Sequence, residues 1–116
     1  MTQSDLLESI ATNIKVGTEA VEFGKALERL QANRDFKRVI LDGYFKDEAV
    51  RLVQLISEPD MQTAEKQQSI HQQMICIGQL GQYFHVIKFH ARQGEKSVYE
   101  SEELREEILA EEGVLV

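Results

Sequence analysis

Between Lys66 and Lys88 the chain carries 21 consecutive residues with no Asp, Glu, Lys or Arg, although 28% of the whole sequence is charged. Helix formers dominate this stretch, and 21 residues make about six helical turns. A helix that faces water seldom avoids charge for so long, because its outer side is the natural place for charged residues. Both sides of this helix are therefore expected to be largely covered.

Set at 100° intervals, Tyr83, Cys76, Ile87, Leu80, Phe84, Ile77, Ile70, Gly81 and Met74 spread over roughly half the circumference, against about 100° for an ordinary surface helix. The extra width predicts two neighbours on different sides. The opposite side holds Gln68, His71, Gln72, Ile75, Gln79, Gln82, His85 and Val86. Such groups can sit in a half-dry interface without the desolvation cost of a charge.

The helical pattern starts near residue 61 and runs at least to residue 93, which is about 48 Å of helix. A compact domain of 116 residues has a radius of gyration near 13 Å, hence a diameter of about 35 Å. One layer of short helices from the same chain would not cover such a rod, whereas further copies would. The expected interface consists of Ile70, Met74, Ile77, Gly78, Leu80, Gly81, Tyr83, Phe84 and Ile87, with Gly78 and Gly81 allowing another backbone to come close. Gly94 is expected to end or bend this helix, since Ser97 and Glu100 have the spacing of a capping box. The alternative is that it extends into the acidic end.

The remainder reads as shorter helices, with no strand pattern. Leu6, Leu7, Ile10 and Ile14 have helical spacing, but Gly17 and Thr18 interrupt, so residues 1–18 are expected to be a weakly ordered or helical arm. Over residues 19–31, Phe23, Leu27 and Leu30 share one face. Asp35 is the expected N-cap of a short helix with Phe36, Val39 and Ile40, stopping near Gly43. Asp47 would begin another, carrying Ala49, Val50, Leu52, Val53 and Ile56. The single proline, Pro59, turns the chain. The predicted fold is all-α: three or four short helices plus one long helix over about 61–93, or longer, in a helical hairpin or bundle completed by oligomerisation. Residues 19–99 would form the helical domain and residues 100–116 an acidic tail.

Composition limits what such a protein does. The length predicts a single domain. Hydrophobic residues make up 42% and aromatics only 7% with no Trp, so Leu, Ile and Val carry the core. Net charge is −7, and residues 100–112 hold seven acids against the one base Arg105, leaving thirteen acids and twelve bases elsewhere. No basic patch follows a phosphate backbone, so nucleic acid is not an expected partner. No apolar run reaches the roughly 18 residues of a membrane span, and the polar, acidic start does not resemble a secretory signal. The lone Cys76 excludes an internal disulfide and fits a reducing compartment.

Candidate chemistry is sparse. His71 and His85 lie on one face but about 21 Å apart along a helix, and His85 and His90 point in different directions, so no metal is expected. Cys76 has no base beside it and is expected to be a small buried hydrophobe. Asp42, Asp47 and Glu48 flank Gly43-Tyr44-Phe45 without calcium-loop spacing. There is no phosphate-cradling loop, nucleophile elbow or HExxH. Neither catalysis nor a cofactor is expected.

Residues 35–62, DFKRVILDGYFKDEAVRLVQLISEPDMQ, together with residues 77–87, IGQLGQYFHVI, resemble small helical proteins of tailed bacteriophages, often encoded among the head and portal genes. The resemblance covers residues 19–100 and rests on hydrophobic spacing, a Gly-aromatic turn and a Pro-Asp-Met-Gln turn. It implies a phage setting, in the host cytoplasm or the virion, and brings no catalytic residues. The expected function is thus a non-enzymatic interaction module. It would be a helical homo-oligomer acting as a structural or assembly component of the virion, with other virion or host proteins as further partners. The alternatives are a small anti-host or anti-defence inhibitor that binds a host protein or ligand, and an accessory of a polymerase.

Overall fold

The computed structural model describes residues 2–112. Among them every regular element is helical: α1 (Gln3–Ala32), α2 (Arg34–Phe36), a π-helical segment (Lys37–Glu48), α3 (Ala49–Ile56), a 3-10 turn (Pro59–Met61) and α4 (Ala64–Glu111). The all-α class and the long C-terminal helix agree with the sequence reading. The chain divides into two compact units. One holds Met1–Ala26 with Ile87–Val116, and the other Leu27–Val86. Helices α1 and α4 contribute to both.

In the first unit α1 is continuous through Gly17 and Thr18, where an interruption was expected. Its start is fixed by a reciprocal cap. The Asp5 backbone N–H donates to Thr2 Oγ1 at 3.1 Å, and the Thr2 backbone N–H donates to Asp5 Oδ2 at 3.2 Å, which satisfies donors that the first helical turn leaves open. The Thr2 side chain, and after it the Thr2 backbone, hold the Asp5 carboxyl below the usual carboxylate range. That contribution to the folded state is complete above the ordinary carboxylate pKa and is lost as pH falls through the lowered value.

Glycine explains why α1 does not stop. Ile10, Gly17 and Gly24 are buried at seven-residue intervals, as are Ile87, Gly94, Ser101 and Ile108 on α4, a heptad seam on each helix. Gly17 lies beside Gly94 and Val98, and Gly24 lies beside Ala91. The pairing descends on α4 as it climbs α1, so the two segments are antiparallel. A Cβ on Gly94 would stand 2.6 Å from the Gly17 carbonyl oxygen and 3.1 Å from the Ala20 Cβ, and one on Gly17 would stand 2.8 Å from the Gly94 carbonyl oxygen. Backbone meets backbone here. Phe23 and Leu30, expected on the packed face with Leu27, are exposed while Leu27 is buried; in the first unit Gly24, not Phe23, faces the neighbouring helix.

The same approach explains why α4 does not break at Gly94. The helix continues through Ser97 and Glu100 to Glu111, because Gly94 is a packing residue and not a helix end. Residues 100–111 are therefore the end of α4, with Ser101 and Ile108 buried. The last turn carries no base. Residues 113–116 of the expected tail lie outside the described residues, as does Met1 of the expected arm.

In the second unit Asn33, and not Asp35, caps α2: its Oδ1 accepts the Phe36 backbone N–H at 2.9 Å. Asp35 sits in the first turn, where its charge favours the helix dipole. No stop occurs at Gly43 and no new start at Asp47, because the backbone stays helical from α2 through the π-helical segment into α3. The half-buried positions group as Phe36, then Ile40 and Leu41, then Gly43, Tyr44 and Phe45, then Glu48 and Ala49. They recur every four to five residues, a period wider than the 3.6 of an α-helix, and π winding turns that period inward.

The reversal at Pro59 is tied by two side-chain amides. Gln62 Nε2 donates to the Ile56 and Glu58 carbonyls, both at 2.8 Å, and Gln67 Nε2 donates to those of Ile56 at 3.0 Å and Met61 at 2.8 Å. Of these, the Ile56 carbonyl is one that the end of α3 leaves without a helical partner. Thr63 then caps α4, its hydroxyl accepting from the Lys66 backbone N–H at 3.3 Å. The ion pairs among the described residues join side chains three or four apart: Glu22 with Lys25, Asp42 with Lys46, Glu48 with Arg51 and Lys96 with Glu100. They support single helices and fasten no element to another.

Two predictions follow from this packing. Gly94→Ala should destabilise the protein by about 1–3 kcal/mol through overpacking, against a helix-propensity gain of about 1 kcal/mol at most. Gly78→Ala, with no atom within 4 Å of the new Cβ, should instead raise stability by about 0.5–1 kcal/mol. Urea unfolding of both variants checks the pair. Ile108, 6% exposed, should cost about 2–4 kcal/mol on substitution by Ala, whereas the exposed Glu106→Ala should stay within about 0.5 kcal/mol of the parent. Equal midpoints for these two in thermal unfolding would show that the acidic end contributes no packing.

Candidate interaction surface

The start of α4 has two sides of different character. Its inner side closes the core of the second unit. Ile70 (1% exposed) and Ile77 pack with Leu52 (0%), and Tyr44, Phe45, Ala49, Leu55, Ile56, Met61 and Met74 lie against them. Steps of three and four residues, Ile70, Met74, Ile77, Gly81 and Phe84, keep this side in register along the helix. Phe84 meets Phe45 edge-on at 5.9 Å between centroids and 79° between planes, and meets Phe36 at 6.1 Å. A Cβ on Gly81 would stand 3.7 Å from Phe45 Cε1. The aromatic side chains that meet Phe84 thus come from α2, which carries Phe36, and from the π-helical segment, which carries Phe45.

The expected interface residues accordingly separate. Ile70, Met74 and Ile77 are covered by this chain's own residues. Leu52 and its neighbours supply the layer that short helices were expected to lack. Ile87 is buried in the first unit. Leu80, Gly81 and Phe84 are half-buried, and Gly81 and Phe84 face Phe45. Gly78 and Tyr83 are exposed, Tyr83 to 52%. Cys76 was expected to be buried and is exposed, because it lies one residue from Ile77, at the edge of the packed arc.

The outer side is where the absence of charge goes unexplained by the chain's own packing. Gln68, Gln72, Ile75, Gln79, Gln82 and Val86 are all exposed, Ile75 to 50%. His71 and His85 flank them, also exposed. Of the glutamines in the charge-free run, Gln67 is committed to the turn described above, and Gln73 Nε2 donates to the Ser69 carbonyl one turn back at 3.3 Å. Nothing comparable is formed by Gln68, Gln72, Gln79 or Gln82. The sequence reading put these residues on one side of the helix, as groups suited to a half-dry interface, and named the residues of the apolar side as the contact with another copy.

Other arrangements offer little chemistry. Among the described residues no group of three or more His, Cys, Asp or Glu is placed to hold a metal ion, and no helix is long and apolar enough to cross a membrane. No buried side-chain nitrogen or oxygen among them lacks a hydrogen-bond partner, so no polar group inside waits for a ligand. The first unit carries an open recess of about 380 Å³ lined by Asn13, Val16, Gly17, Ala20, His90, Gln93, Gly94 and Ser97. It exists because small residues floor it, and it holds neither a carboxylate nor a thiol.

The two sides of α4 should respond differently to truncation. Ile77→Ala should cost about 2–4 kcal/mol, whereas Ile75→Ala, two residues away and half exposed, should cost less than about 1 kcal/mol in the isolated chain. Chemical denaturation at low protein concentration checks this, and equal losses would show that the outer side is packed as well.

Comparison of the chain with protein-family models, curated proteins and solved structures finds no match to any of them.

Proposed function

We propose that this protein is a non-enzymatic interaction module that works as a homo-oligomer, as a structural or assembly component of a phage particle. One observation carries the first part of this reading. The uncharged outer side of α4 is exposed in the single chain, although 28% of the sequence is charged. A surface helix gains solubility from charge at no packing cost, so leaving charge out over six turns has a reason only where another surface covers it. Glutamine suits such a place, since its amide donates and accepts hydrogen bonds without the desolvation cost of an ion.

The particle setting rests on the resemblance of residues 35–62 and 77–87 to small helical phage proteins, and is separable from the self-association. The acidic balance and the missing basic patch favour a protein partner over nucleic acid. Among the described residues no nucleophile, base and binding cleft come together, which favours binding over catalysis.

Sedimentation of the purified protein at micromolar concentration should give at least twice the 13.3 kDa chain mass. A single 13.3 kDa species would overturn the self-association. The particle assignment is tested by mass spectrometry of purified virions from a phage that encodes this chain, where it should be present in defined copy number. Its absence there, with toxicity on expression in the host alone, would replace the assembly role with host inhibition.

A further inference from the structure

Within the outer side of α4, Ile75, Gln79, Gln82 and Val86 follow one another at intervals of four, three and four residues, and all four are exposed. That is the spacing of a coiled-coil seam, so the helix carries a second seam opposite the one that closes its own core. The order reads the same in both directions: apolar, amide, amide, apolar. Two antiparallel helices related by a two-fold axis meet so that the residue numbers of each facing pair have a constant sum. With the axis passing between positions 80 and 81, Ile75 meets the partner's Val86 and Gln79 meets the partner's Gln82, each pair occurring twice.

We propose that this face docks, antiparallel, on the same face of a second copy of the chain. This deepens the homo-oligomer reading above and rests on it. A palindromic seam matches its own copy layer by layer, with β-branched side chains against each other at both ends and carboxamides against carboxamides in the middle. The absence of charge has its own role under a two-fold axis. Beside the axis such a contact sets positions 79 and 82 near their own equivalents as well as near each other, so a charge there would face a like charge, whereas a carboxamide is donor and acceptor at once and pairs with itself. An acidic or basic partner would find no counter-charge on this face. A lipid surface would meet as many amides as apolar side chains. The exposed Gly78, one residue before Gln79, leaves the flank of the seam open to the approaching helix.

Cross-linking tests the pairing and its direction in the full-length chain, with Cys76→Ser removing the native thiol. Ile75→Cys and Val86→Cys are prepared separately and also co-expressed, then oxidised in air with copper phenanthroline as catalyst, dissolved oxygen taking up the two electrons and two protons released as the disulfide forms. In the proposed arrangement positions 75 and 86 of opposite copies adjoin, whereas like positions stand about 16 Å apart along the helices. A covalent dimer should therefore form in the co-expressed sample and in neither single variant. Disulfides within the single variants would mean a parallel pair and would overturn the proposal. No disulfide in the mixed sample, while sedimentation still reports a dimer, would place the interface elsewhere and also overturn it. A 13.3 kDa parent would instead remove the homo-oligomer reading beneath it. Gln79→Glu provides an independent measurement, since its side chain is exposed in the single chain. Helical signal and thermal midpoint of the dissociated chain should be retained, and the dimer dissociation constant should rise at least tenfold. An unchanged constant would overturn the proposal even if the cysteine variants themselves failed to associate.

Discussion

The close approach of Gly17 and Gly94 is the constraint on which the first unit depends. Two helices with side chains at the contact stand 8–10 Å apart. Here the missing Cβ atoms let a carbonyl of each helix lie where the other's side chain would begin. That approach draws Ala20, Gly24 and Ala91 into the same contact and fixes which residues can flank it. Larger residues, Ile10, Ile87 and Ile108, are buried at other positions of the same heptad pattern. The cost of glycine within a helix, about 1 kcal/mol each relative to Ala, is offset because no other residue permits this separation.

The second unit solves a different problem by different means. It must close the inner side of α4 with a short stretch of chain, and it does so with aromatic groups on a widened helical turn. Phe36, Tyr44 and Phe45 arrive from one continuous helical path, and the Pro59 turn returns the chain to α4 with its carbonyls held by Gln62 and Gln67. The inner side is thereby complete with residues of a single chain. The outer side then stands out, because it carries no charge while its exposure is that of a surface.

How much of this could be read in advance depended on whether the signal lay in a side chain. The all-α class, the long helix and its uncharged run were legible, since helix propensity and charge are carried residue by residue. The continuity of α1 and α4 was not. Gly17 and Gly94 read locally as helix breakers, and a glycine at a core position contributes nothing to a hydropathy pattern, so the heptad Ile10–Gly17–Gly24 went unseen. The π-helical segment was hidden for a related reason, because apolar pairs at four- to five-residue spacing, such as Ile40 with Leu41 and Tyr44 with Phe45, match neither the 3.6 nor the 2.0 period. The uncharged helix was expected to be covered on both sides, and the chain itself covers only the inner one. Its inner side was assigned to another copy only because no local pattern showed that Leu52 and the aromatic residues would reach it. In the sequence, the intervals of Ile75, Gln79, Gln82 and Val86 were the available signal for the outer side.

The acidic end of α4 sets the helix against its own dipole. The C-terminal turns of an α-helix carry partial negative charge on carbonyls without helical partners, and here they bear Glu106, Glu107 and Glu111 with no base in the last turn. Each of these carboxylates repels both its neighbours and the helix terminus, while the buried Ile108 between them holds the turn in place. Local order at this end is thus a balance between one aliphatic anchor and a field that dissolved salt can weaken. Since the Debye length falls from about 30 Å at 0.01 M to about 8 Å at 0.15 M, the terminal turns are built to be tighter in a salty medium than in a dilute one, and the protein carries an ionic-strength response in its covalent sequence.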